Sequence, residues 1–333
     1  MLELGLAYAT LSGICNGLFT APMKVIPHWK WENIWLVFVA TSCVIGPAAI
    51  VSATVPEFWL LLHQAPAGAV VAALSFGFAW GFGAILFGLS VDRLGVSVAN
   101  TLVIGLSSAF GSLVPLILGD KLRFDRSQVL LFIGVVAFLA GVWICGKAGR
   151  RRESGAGATA GSHWRGYLFA VGSGVMSAVF NIGYSLALPI AATGQQFGYS
   201  SFRSTNCIWV LMLAGGAVPN ISYCVWLLVK HRSASLFVSQ RLWKPWTGSI
   251  LMGILWGGSI LLYGAATPLL GQIGPSIGWP LSLAVGLLTA NAVGLALGEW
   301  RQARPATVRL MQAGVAVILG AVVLCALSAK VGS

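Results

Sequence analysis

Gly77-Phe78-Ala79-Trp80-Gly81 opens a stretch that continues to Phe87-Gly88 and closes at Leu94-Gly95. The same pattern returns as Gly253-Ile254-Leu255-Trp256-Gly257, which continues to Tyr263-Gly264 and closes at Leu270-Gly271. Seven positions are identical between the windows 77–95 and 253–271. A weaker match upstream pairs 12–19 with 173–180, in the same order along the chain. The sequence therefore predicts two copies of one structural unit.

The composition places both copies in a membrane. Hydrophobic residues make up 57% of the 333 residues and charged residues only 8%, whereas about a quarter of the residues are charged in soluble domains. Apolar runs of about 20 residues, the length that crosses a bilayer, recur along the whole chain. The sequence predicts an all-α polytopic membrane protein that is embedded in the lipid bilayer. The net charge of +12 comes from residues scattered among short loops, so it indicates membrane topology and argues against nucleic-acid binding.

We expect ten transmembrane helices in the form of a 5+5 inverted repeat. Their approximate ranges are 4–22, 34–55, 69–90, 97–118, 128–146, 166–190, 205–229, 247–268, 276–298 and 308–328. Five spans per copy is an odd number, so the second copy enters the membrane from the opposite side. The predicted domains are a first five-helix repeat at 1–146, a basic Gly/Ala/Ser-rich cytoplasmic linker at 147–165 and a second five-helix repeat at 166–333.

The basic residues predict the orientation of the chain. Most of the 20 Lys and Arg residues lie in the odd-numbered loops, and the positive-inside rule places those loops in the cytoplasm. Both termini are then predicted to be periplasmic. The N-terminus lacks the basic region of a signal peptide, so we expect the first apolar run to be a retained span.

The reactive side chains argue against an enzyme. All eight Asp and Glu residues and all four His residues lie in loops or at span ends, so no cluster of a nucleophile and a base is visible. The six cysteines fall inside apolar runs and show neither metal-ligand nor disulfide spacing. We therefore expect no catalytic residue, no metal and no cofactor.

The spans contain neutral polar and aromatic side chains instead. The predicted substrate-binding residues are Asn16, Trp80, Asn181, Tyr184, Trp256, Tyr263, Trp279 and Asn291. Amides hydrogen-bond hydroxyl groups and aromatic faces cover the apolar face of a sugar ring, so this set favours a small, neutral, hydroxyl-rich ligand. An alternative stays open for each amide, because a buried Asn can also tie two helices together.

The glycines that flank the two repeated tryptophans are predicted to pack helices. Gly77 with Gly81, and Gly253 with Gly257, have the small-xxx-small spacing that lets two backbones approach closely. Direct contact of these glycines with a ligand is the less favoured alternative. Because each Trp lies inside such a pair, the two tryptophans occupy equivalent positions in the two copies, and we expect them to face a shared central cavity.

The first loop carries a resemblance to a known family. Ala21-Pro22-Met23-Lys24-Val25 is followed there by Trp29-Lys30-Trp31-Glu32-Asn33-Ile34-Trp35. This block, together with Pro56-Glu57-Phe58-Trp59, Trp80-Gly81-x-Gly83, and Glu299-Trp300 followed by Arg304-Pro305, resembles the L-rhamnose–proton symporter family of the drug/metabolite transporter superfamily. The resemblance covers essentially the whole chain. It implies ten helices in a five-plus-five inverted repeat, in a bacterial inner membrane, that move a deoxy-sugar inward with a proton.

A proton symporter needs a group that binds a proton during the transport cycle, usually a membrane carboxylate or His. The proton-coupling candidates are Glu3, which opens the first span, Glu299, which closes the ninth span, and Asp92, which follows the third. An ordinary interfacial role is the alternative for each of them. For Asp92 that role is an ion pair with the adjacent Arg93.

We therefore predict a secondary active transporter that takes up L-rhamnose or a similar neutral deoxy-sugar by proton symport, with alternating access around a site at the membrane midplane. Two alternatives stay open. One is an uncoupled facilitator or an exporter of another small neutral metabolite. The other, from a different class, is a membrane sensor or assembly subunit without transport activity. The oligomeric state is left unassigned.

Overall fold

In a computed structural model the chain is helical, and no strand occurs in the part that the structure describes. The described residues are 1–94, 96–118, 122–154, 164–238, 243–296, 298, 300–301 and 303–331. The helices are α1 (Leu2–Leu18), α2 (Trp31–Val39), α3 (Gly46–Thr54), α4 (Phe58–Gln64), α5 (Ala67–Leu94), α6 (Val96–Leu118), α7 (Arg126–Ser154), α8 (Trp164–Gln196), α9 (Ser201–His231), α10 (Trp243–Ala266), α11 (Gly274–Ala296) and α12 (Pro305–Val331).

Eight helical segments of the described chain are long and apolar enough to cross a membrane. The remaining two predicted spans are occupied by α1, which has 17 residues, and by α6, which contains the apolar segment Leu102–Leu118. All ten predicted spans thus coincide with helices to within a few residues, except that α7 runs further. The prediction of an all-α polytopic membrane protein is confirmed. Helices are favoured because a backbone in lipid must satisfy its own hydrogen bonds, and a helix does so within one segment.

The second span is not a regular helix. A π-helical turn at Ala40–Ile45 joins α2 to α3, and the backbone N–H of Gly46 bonds to the carbonyl of Thr41. Pro47 follows, which has no N–H to donate and whose ring clashes with the carbonyl four residues earlier in a regular α-helix. The wider turn places the irregularity just before this proline, as is common for helix distortions.

The loop after the second span contains α4, which the sequence did not predict. This helix of seven residues buries Leu61 completely and leaves the ring of Trp59 74% exposed. A short helix with an exposed indole is typical of the interface between membrane and water. Its apolar run is too short for a span, so hydropathy alone does not reveal it.

The structure shortens the segment that separates the two halves of the chain. α7 continues beyond the predicted fifth span through Lys147 to Ser154, and α8 begins at Trp164. The basic residues at the end of α7 interact favourably with the carbonyl end of the helix dipole. The guanidinium of Arg152 also lies over the ring of Trp300, 4.9 Å from its centroid. Residues 155–163 of the predicted linker lie outside the described residues.

The chain forms two compact units. Unit 1 comprises Met1–Gly17, Gly83–Ile182 and Ala266–Ser333, and unit 2 comprises Leu18–Phe82 and Gly183–Ala265. Each unit therefore takes residues from both halves of the sequence. The division into repeats at 1–146 and 166–333 describes the sequence pattern, and it remains a prediction.

Unit 1 is held together by close contacts between α7 and α12 and by polar ties at their ends. The hydroxyl of Ser127 donates to the carbonyl of Ser328 at 2.8 Å, and the hydroxyl of Ser328 donates back to the carbonyl of Ser127 at 2.7 Å. Gly141 lies against Ile318, with room for no further side-chain atom. Small residues at a helix contact allow such an approach.

Unit 2 uses both repeated glycine pairs for helix contacts. Gly77 on α5 lies directly against the backbone of Met212 on α9. Gly253 on α10 lies against Thr41 in the π-helical turn, where an added Cβ would be 2.6 Å from the Cβ of Thr41. In the first contact a glycine of the first copy, on α5, lies against α9 of the second copy. In the second contact a glycine of the second copy, on α10, lies against the second span of the first copy. The predicted packing role of the glycines is confirmed.

The Leu-Gly pair that closes the second copy of the repeat ends a helical segment. Gly271 follows the 3₁₀ turn Thr267–Leu270 and has a φ of 87°. This left-handed conformation favours glycine because glycine has no Cβ. Its counterpart in the first copy, Gly95, lies outside the described residues.

Candidate functional site

The predicted substrate-binding residues divide equally between the two units. Trp80, Tyr184, Trp256 and Tyr263 belong to unit 2, and Asn16, Asn181, Trp279 and Asn291 belong to unit 1. The structure joins them into three pairs: Trp80 with Trp256, Tyr184 with Tyr263, and Asn181 with Trp279 through Gly111. No contact joins Asn16 or Asn291 to another member among the described residues.

The indole rings of Trp80 and Trp256 are stacked on each other. Their centroids are 5.2 Å apart and their planes are inclined by only 11°. The ring of Trp256 is 9% exposed, whereas Trp80 is partly exposed. Stacking of this kind contributes about 0.5–1.5 kcal/mol beyond the burial of area. The two equivalent positions of the sequence repeat therefore form one aromatic surface within unit 2.

Glycines on α9 decide where this surface lies. A Cβ added at Gly216 would be 2.6 Å from the ring of Trp80, so the indole rests directly against the α9 backbone. Gly81, the residue after Trp80, lies in turn against the carbonyl of Gly216 and the ring of Pro219. A side chain at Gly216 would displace the indole, and a side chain at Gly81 would push α5 away from α9.

Three aromatic residues of α2 extend the surface. Trp256 meets Phe38 at 5.8 Å, Phe38 meets Trp35 at 4.7 Å, and Trp35 stacks on Trp31 at 5.1 Å. Positions 31, 35 and 38 lie on one face of a helix because their spacing follows the helical repeat. We call Trp80, Trp256, Phe38, Trp35 and Trp31 the aromatic row. Trp31 and Trp35 belong to the first-loop block of the sequence. The sequence analysis used that block to identify a family and did not interpret it as part of a site.

A buried amide supplies hydrogen bonds beside the aromatic row. The indole N–H of Trp35 donates to the Asn220 side-chain oxygen at 3.1 Å. The amide nitrogen of Asn220 donates to the carbonyls of Gly216 at 2.9 Å and Gly81 at 3.2 Å. Asn220 is only 2% exposed. The sequence analysis missed this residue, although an Asn directly after Pro219 in an apolar run is an available signal.

Tyr184 and Tyr263 belong to a second aromatic cluster, which is fully buried. Tyr184 stacks on Trp209 with centroids 4.4 Å apart and planes inclined by 1°, and Tyr263 lies 5.6 Å from Tyr184. The three side chains are at most 1% exposed. The hydroxyl of Tyr184 donates to the carbonyl of Gly264 at 3.4 Å. In this conformation the cluster acts as a packed core, and its predicted contact with substrate stays a prediction.

Asn206 is a buried amide with its hydrogen-bonding capacity unused. It lies on α9 about one turn before Trp209, is 1% exposed, and neither side-chain atom bonds within the described part of the chain. A buried polar group without a partner costs about 1–3 kcal/mol. Asn206 therefore retains its full capacity for a water molecule or a ligand hydroxyl, in contrast to Asn220.

In unit 1 the amide of Asn181 ties three helices together. Its nitrogen on α8 donates to the carbonyl of Gly111 on α6 at 2.7 Å and to that of Pro275 on α11 at 3.2 Å. The indole N–H of Trp279 donates to Ser107, with 3.1 Å to the carbonyl and 3.2 Å to the hydroxyl. Gly111 leaves room for the ring of Trp279, which an added Cβ would approach to 2.7 Å. The helix-tying alternative therefore describes Asn181 in this conformation.

Asn16 and Asn291 are partly buried on α1 and α11. The amide nitrogen of Asn16 lies beside Gly286, 3.3 Å from the position that an added Cβ would take. The amide nitrogen of Asn291 donates to the carbonyl of Leu287 one turn earlier at 2.8 Å. This local bond uses one of the two donors of Asn291 and leaves its binding role a prediction.

The proton-coupling candidates receive little structural support. Glu3 is exposed in the first turn of α1. The side chain of Asp92 and the whole of Glu299 lie outside the described residues. No group of three or more His, Cys, Asp or Glu side chains suited to a metal occurs in the part of the chain that was searched.

An all-helical fold of apolar spans with a sequence repeat is typical of a membrane transporter of small molecules. The chain belongs to the L-rhamnose-proton symport protein family, whose family model matches residues 1–330. The resemblance predicted from the first-loop block is confirmed. Membership also confirms a transporter rather than an enzyme.

Relatives of known name cover nearly the whole chain. The L-rhamnose-proton symporter of Klebsiella pneumoniae is 27% identical over 328 residues, which cover 96% of this chain and 95% of that protein. The Escherichia coli protein of the same name is 28% identical with the same coverage. One solved crystal structure is 13% identical, covers 98% of both chains and has a TM-score of 0.58. At that identity the structural likeness supports the fold alone.

Proposed function

We propose that this protein takes up L-rhamnose, or a closely similar neutral deoxy-sugar, together with a proton. The observation that carries the proposal is the match to the symporter family from residue 1 to residue 330. Relatives that bear the name L-rhamnose-proton symporter align with it over 96% of its length. The transport mode is alternating access around a site within the membrane, as inverted-repeat transporters use.

The aromatic row is the part of the structure that fits such a substrate best. A deoxy-sugar presents an apolar face of C–H groups and a rim of hydroxyl groups. Indole faces cover the apolar face, and neutral amides and indole N–H groups bond the hydroxyls without the desolvation cost of a charge. We assign the sugar contact to Trp80 and Trp256, with the amide of Asn206, which is unpaired among the described residues, as a hydrogen-bonding candidate on the same unit.

Reconstituted protein tests the proposal directly. Purified protein in liposomes is given labelled L-rhamnose outside and a pH-sensitive dye inside. We expect sugar to accumulate when the outside is more acidic, and the interior to acidify as sugar enters. An excess of unlabelled L-rhamnose should compete, whereas a charged hexuronate should not, because the row offers it no counter-charge.

The alternatives give different results in the same experiment. Sugar entry without acidification of the interior would indicate an uncoupled facilitator. Entry of other neutral metabolites in preference to L-rhamnose would indicate a different transported substrate. Absence of any flux from protein that elutes as a single folded species would favour a sensor or assembly subunit.

We propose a location in a bacterial inner membrane with both termini in the periplasm. The excess of Lys and Arg in the odd-numbered loops supports this orientation. A phosphatase fused after the last residue should then be active, because that enzyme needs the periplasm to fold. The same phosphatase inserted between residues 155 and 163 should be inactive, and the reverse pattern would invert the topology.

A further inference from the structure

Glu32 is the one carboxylate that is buried in the part of the chain that the structure describes. It lies in the first turn of α2 and is only 3% exposed. A carboxylate near a helix N-terminus is stabilised by the helix dipole, but that effect needs no burial. Burying a charged group costs free energy unless the group is paired and hydrogen-bonded. The position therefore calls for a role beyond helix stabilisation.

Two side chains from the end of α9 and the turn after it hold the carboxylate. The hydroxyl of Ser233 donates to Glu32 Oε1 at 2.6 Å, and Nδ1 of His231 lies 3.0 Å from the same oxygen. The Glu32 side chain is 4% exposed and that of His231 is 39% exposed. Histidine is the side chain that ordinarily changes charge between about pH 5 and 8. The imidazole therefore reaches from the buried carboxylate to the partly exposed surface.

Further hydrogen bonds fix the geometry of this pair from both sides. The amide nitrogen of Asn33 donates to the carbonyl of Ser233 at 3.0 Å, and Nζ of Lys30 donates to the carbonyl of His231 at 3.3 Å. The indole N–H of Trp29 donates to the carbonyl of Leu236 at 3.1 Å. The N-terminal end of α2 is therefore fastened to the chain that leaves α9.

Among the described residues, the other titratable groups near the carboxylate lie on or directly beside α2 and α9. They are Lys30 before α2 and, on α9, Tyr223 and Cys224, both of which interact electrostatically with Glu32, with Lys230 and Arg232 flanking His231. The ammonium group of Lys230 lies over the ring of Trp226 at 4.6 Å. A positive group that bonded the carboxylate directly would keep it charged throughout a transport cycle. Here the direct partners are a hydroxyl and an imidazole, so the charge of the pair can change.

The pair is also attached to the aromatic row. Glu32 follows Trp31, the last member of the row, and Phe38 on the same helix contacts Trp256 at 5.8 Å. α2 is a helix of nine residues, so a displacement of its N-terminal end would shift Phe38 against Trp256 and link the Glu32 end of α2 to the aromatic row.

We propose that the Glu32–His231 pair binds the proton that is transported with the sugar, an inference that rests on the proposed function. With His231 neutral the pair carries one negative charge, and uptake of one proton makes it neutral. The proton goes to the imidazole, which is more basic than a carboxylate, so the neutral pair consists of an imidazolium beside a carboxylate. A bond between two charged partners is about twice as strong as a neutral one. Protonation therefore fastens α2 to His231, and deprotonation loosens it again.

The test is the substitution Glu32→Gln in the liposome assay. Gln keeps the shape of the side chain and removes the charge that stabilises a protonated His231, so we expect exchange of labelled for unlabelled L-rhamnose to stay within about twofold of the wild-type rate. Accumulation driven by an acidic exterior should fall to the level measured without a gradient, and the interior should no longer acidify. His231→Gln should lower acidification and accumulation in the same direction.

Two matched variants separate proton binding from a structural role. Ser233→Ala removes a hydrogen bond to Glu32 but leaves both titratable groups, so sugar entry should still acidify the interior. Glu57→Gln neutralises an exposed carboxylate that accepts a hydrogen bond from the hydroxyl of Tyr199 at 2.9 Å. Partial desolvation and this bond raise the pKa of the Tyr199 phenol. Uptake and acidification by Glu57→Gln should equal those of the wild type.

The results distinguish failure of the proposed function from failure of the proton-binding role of Glu32 and His231. Wild-type protein that moves no sugar, or moves sugar without protons, contradicts the proposed function. If the wild-type protein is a symporter and folded Glu32→Gln still acidifies the interior normally, the proton-binding role of the pair is wrong while the proposed function stands. If Glu32→Gln does not fold, a shift in the pH profile of exchange by His231→Gln decides, and an unchanged profile rejects the pair.

Discussion

Trp256→Ala is expected to lower L-rhamnose uptake by about thirtyfold or more while the protein stays in the membrane. Trp256 lies between Trp80, at 5.2 Å, and Phe38, at 5.8 Å, so it joins Trp80 to the rest of the aromatic row. Truncating an indole that anchors a binding surface typically costs about 2 kcal/mol or more of binding free energy, which corresponds to about thirtyfold weaker binding of the sugar. The measurement is the initial rate of labelled sugar entry per folded protein in liposomes.

Matched variants show whether the loss comes from the aromatic surface. Trp80→Ala should cause a loss of similar size, because either truncation removes half of the stacked pair. Trp256→Phe retains a ring against Phe38 and should keep more activity than Trp256→Ala. Trp59→Ala removes an indole that is 74% exposed on α4 and should leave uptake unchanged. Normal uptake by both alanine variants of the stacked pair would exclude it from the sugar pathway.

The spans were predictable because one strong physical constraint determines them. Lipid offers no hydrogen bonds, so each crossing must be a helix of about 20 apolar residues. Charges at the span ends, such as Glu32 and Arg126, therefore mark helix ends in the sequence. The internal irregularities were not predictable from hydropathy. The π-helical turn before Pro47 and the short helix α4 change hydrogen bonding or length without changing the average apolarity.

The sequence repeat singled out Trp80 and Trp256 as equivalent positions, and the structure brings their rings into contact. That they face a shared central cavity stays a prediction. Single amides carry no such signal. Asn181, Asn206 and Asn220 look alike in the sequence, yet one ties three helices, one is unpaired and one supports Trp35. Which of these roles an Asn takes depends on the backbone carbonyls that other helices present.

Glu32 illustrates why charge inventories need a structure. The sequence places it at a span end, where most carboxylates are exposed and of little energetic weight. The end of α9 and the turn after it, which are distant in sequence, contact the carboxylate through His231 and Ser233. A buried carboxylate thus need not lie in the apolar part of a span, because a helix end and a loop can supply the burial.

Gly77→Ala is expected to lower the free energy of unfolding by about 3 kcal/mol and to reduce the yield of folded protein. An added Cβ would overlap the backbone of Met212, and its distance to the Cα of Met212 would be 2.8 Å. Backbone cannot rotate away as a side chain can, so α5 must move from α9. That movement also shifts Trp80, which lies one turn further along α5. Thermal unfolding in detergent, followed by size-exclusion chromatography, measures the effect.

The neighbouring glycines provide a graded control. Gly253→Ala meets the Cβ of Thr41 at 2.6 Å and should be the second most damaging change, because Thr41 belongs to an irregular turn that can adjust. Gly258→Ala meets nothing within 4 Å, and should stabilise α10 by up to about 1 kcal/mol through helix propensity. If Gly77→Ala and Gly258→Ala unfolded at the same temperature, the two helices could not be in backbone contact at Gly77. The aromatic row would then lack the framework that brings its two tryptophans together, since Trp80 reaches Trp256 only while α5 lies against α9.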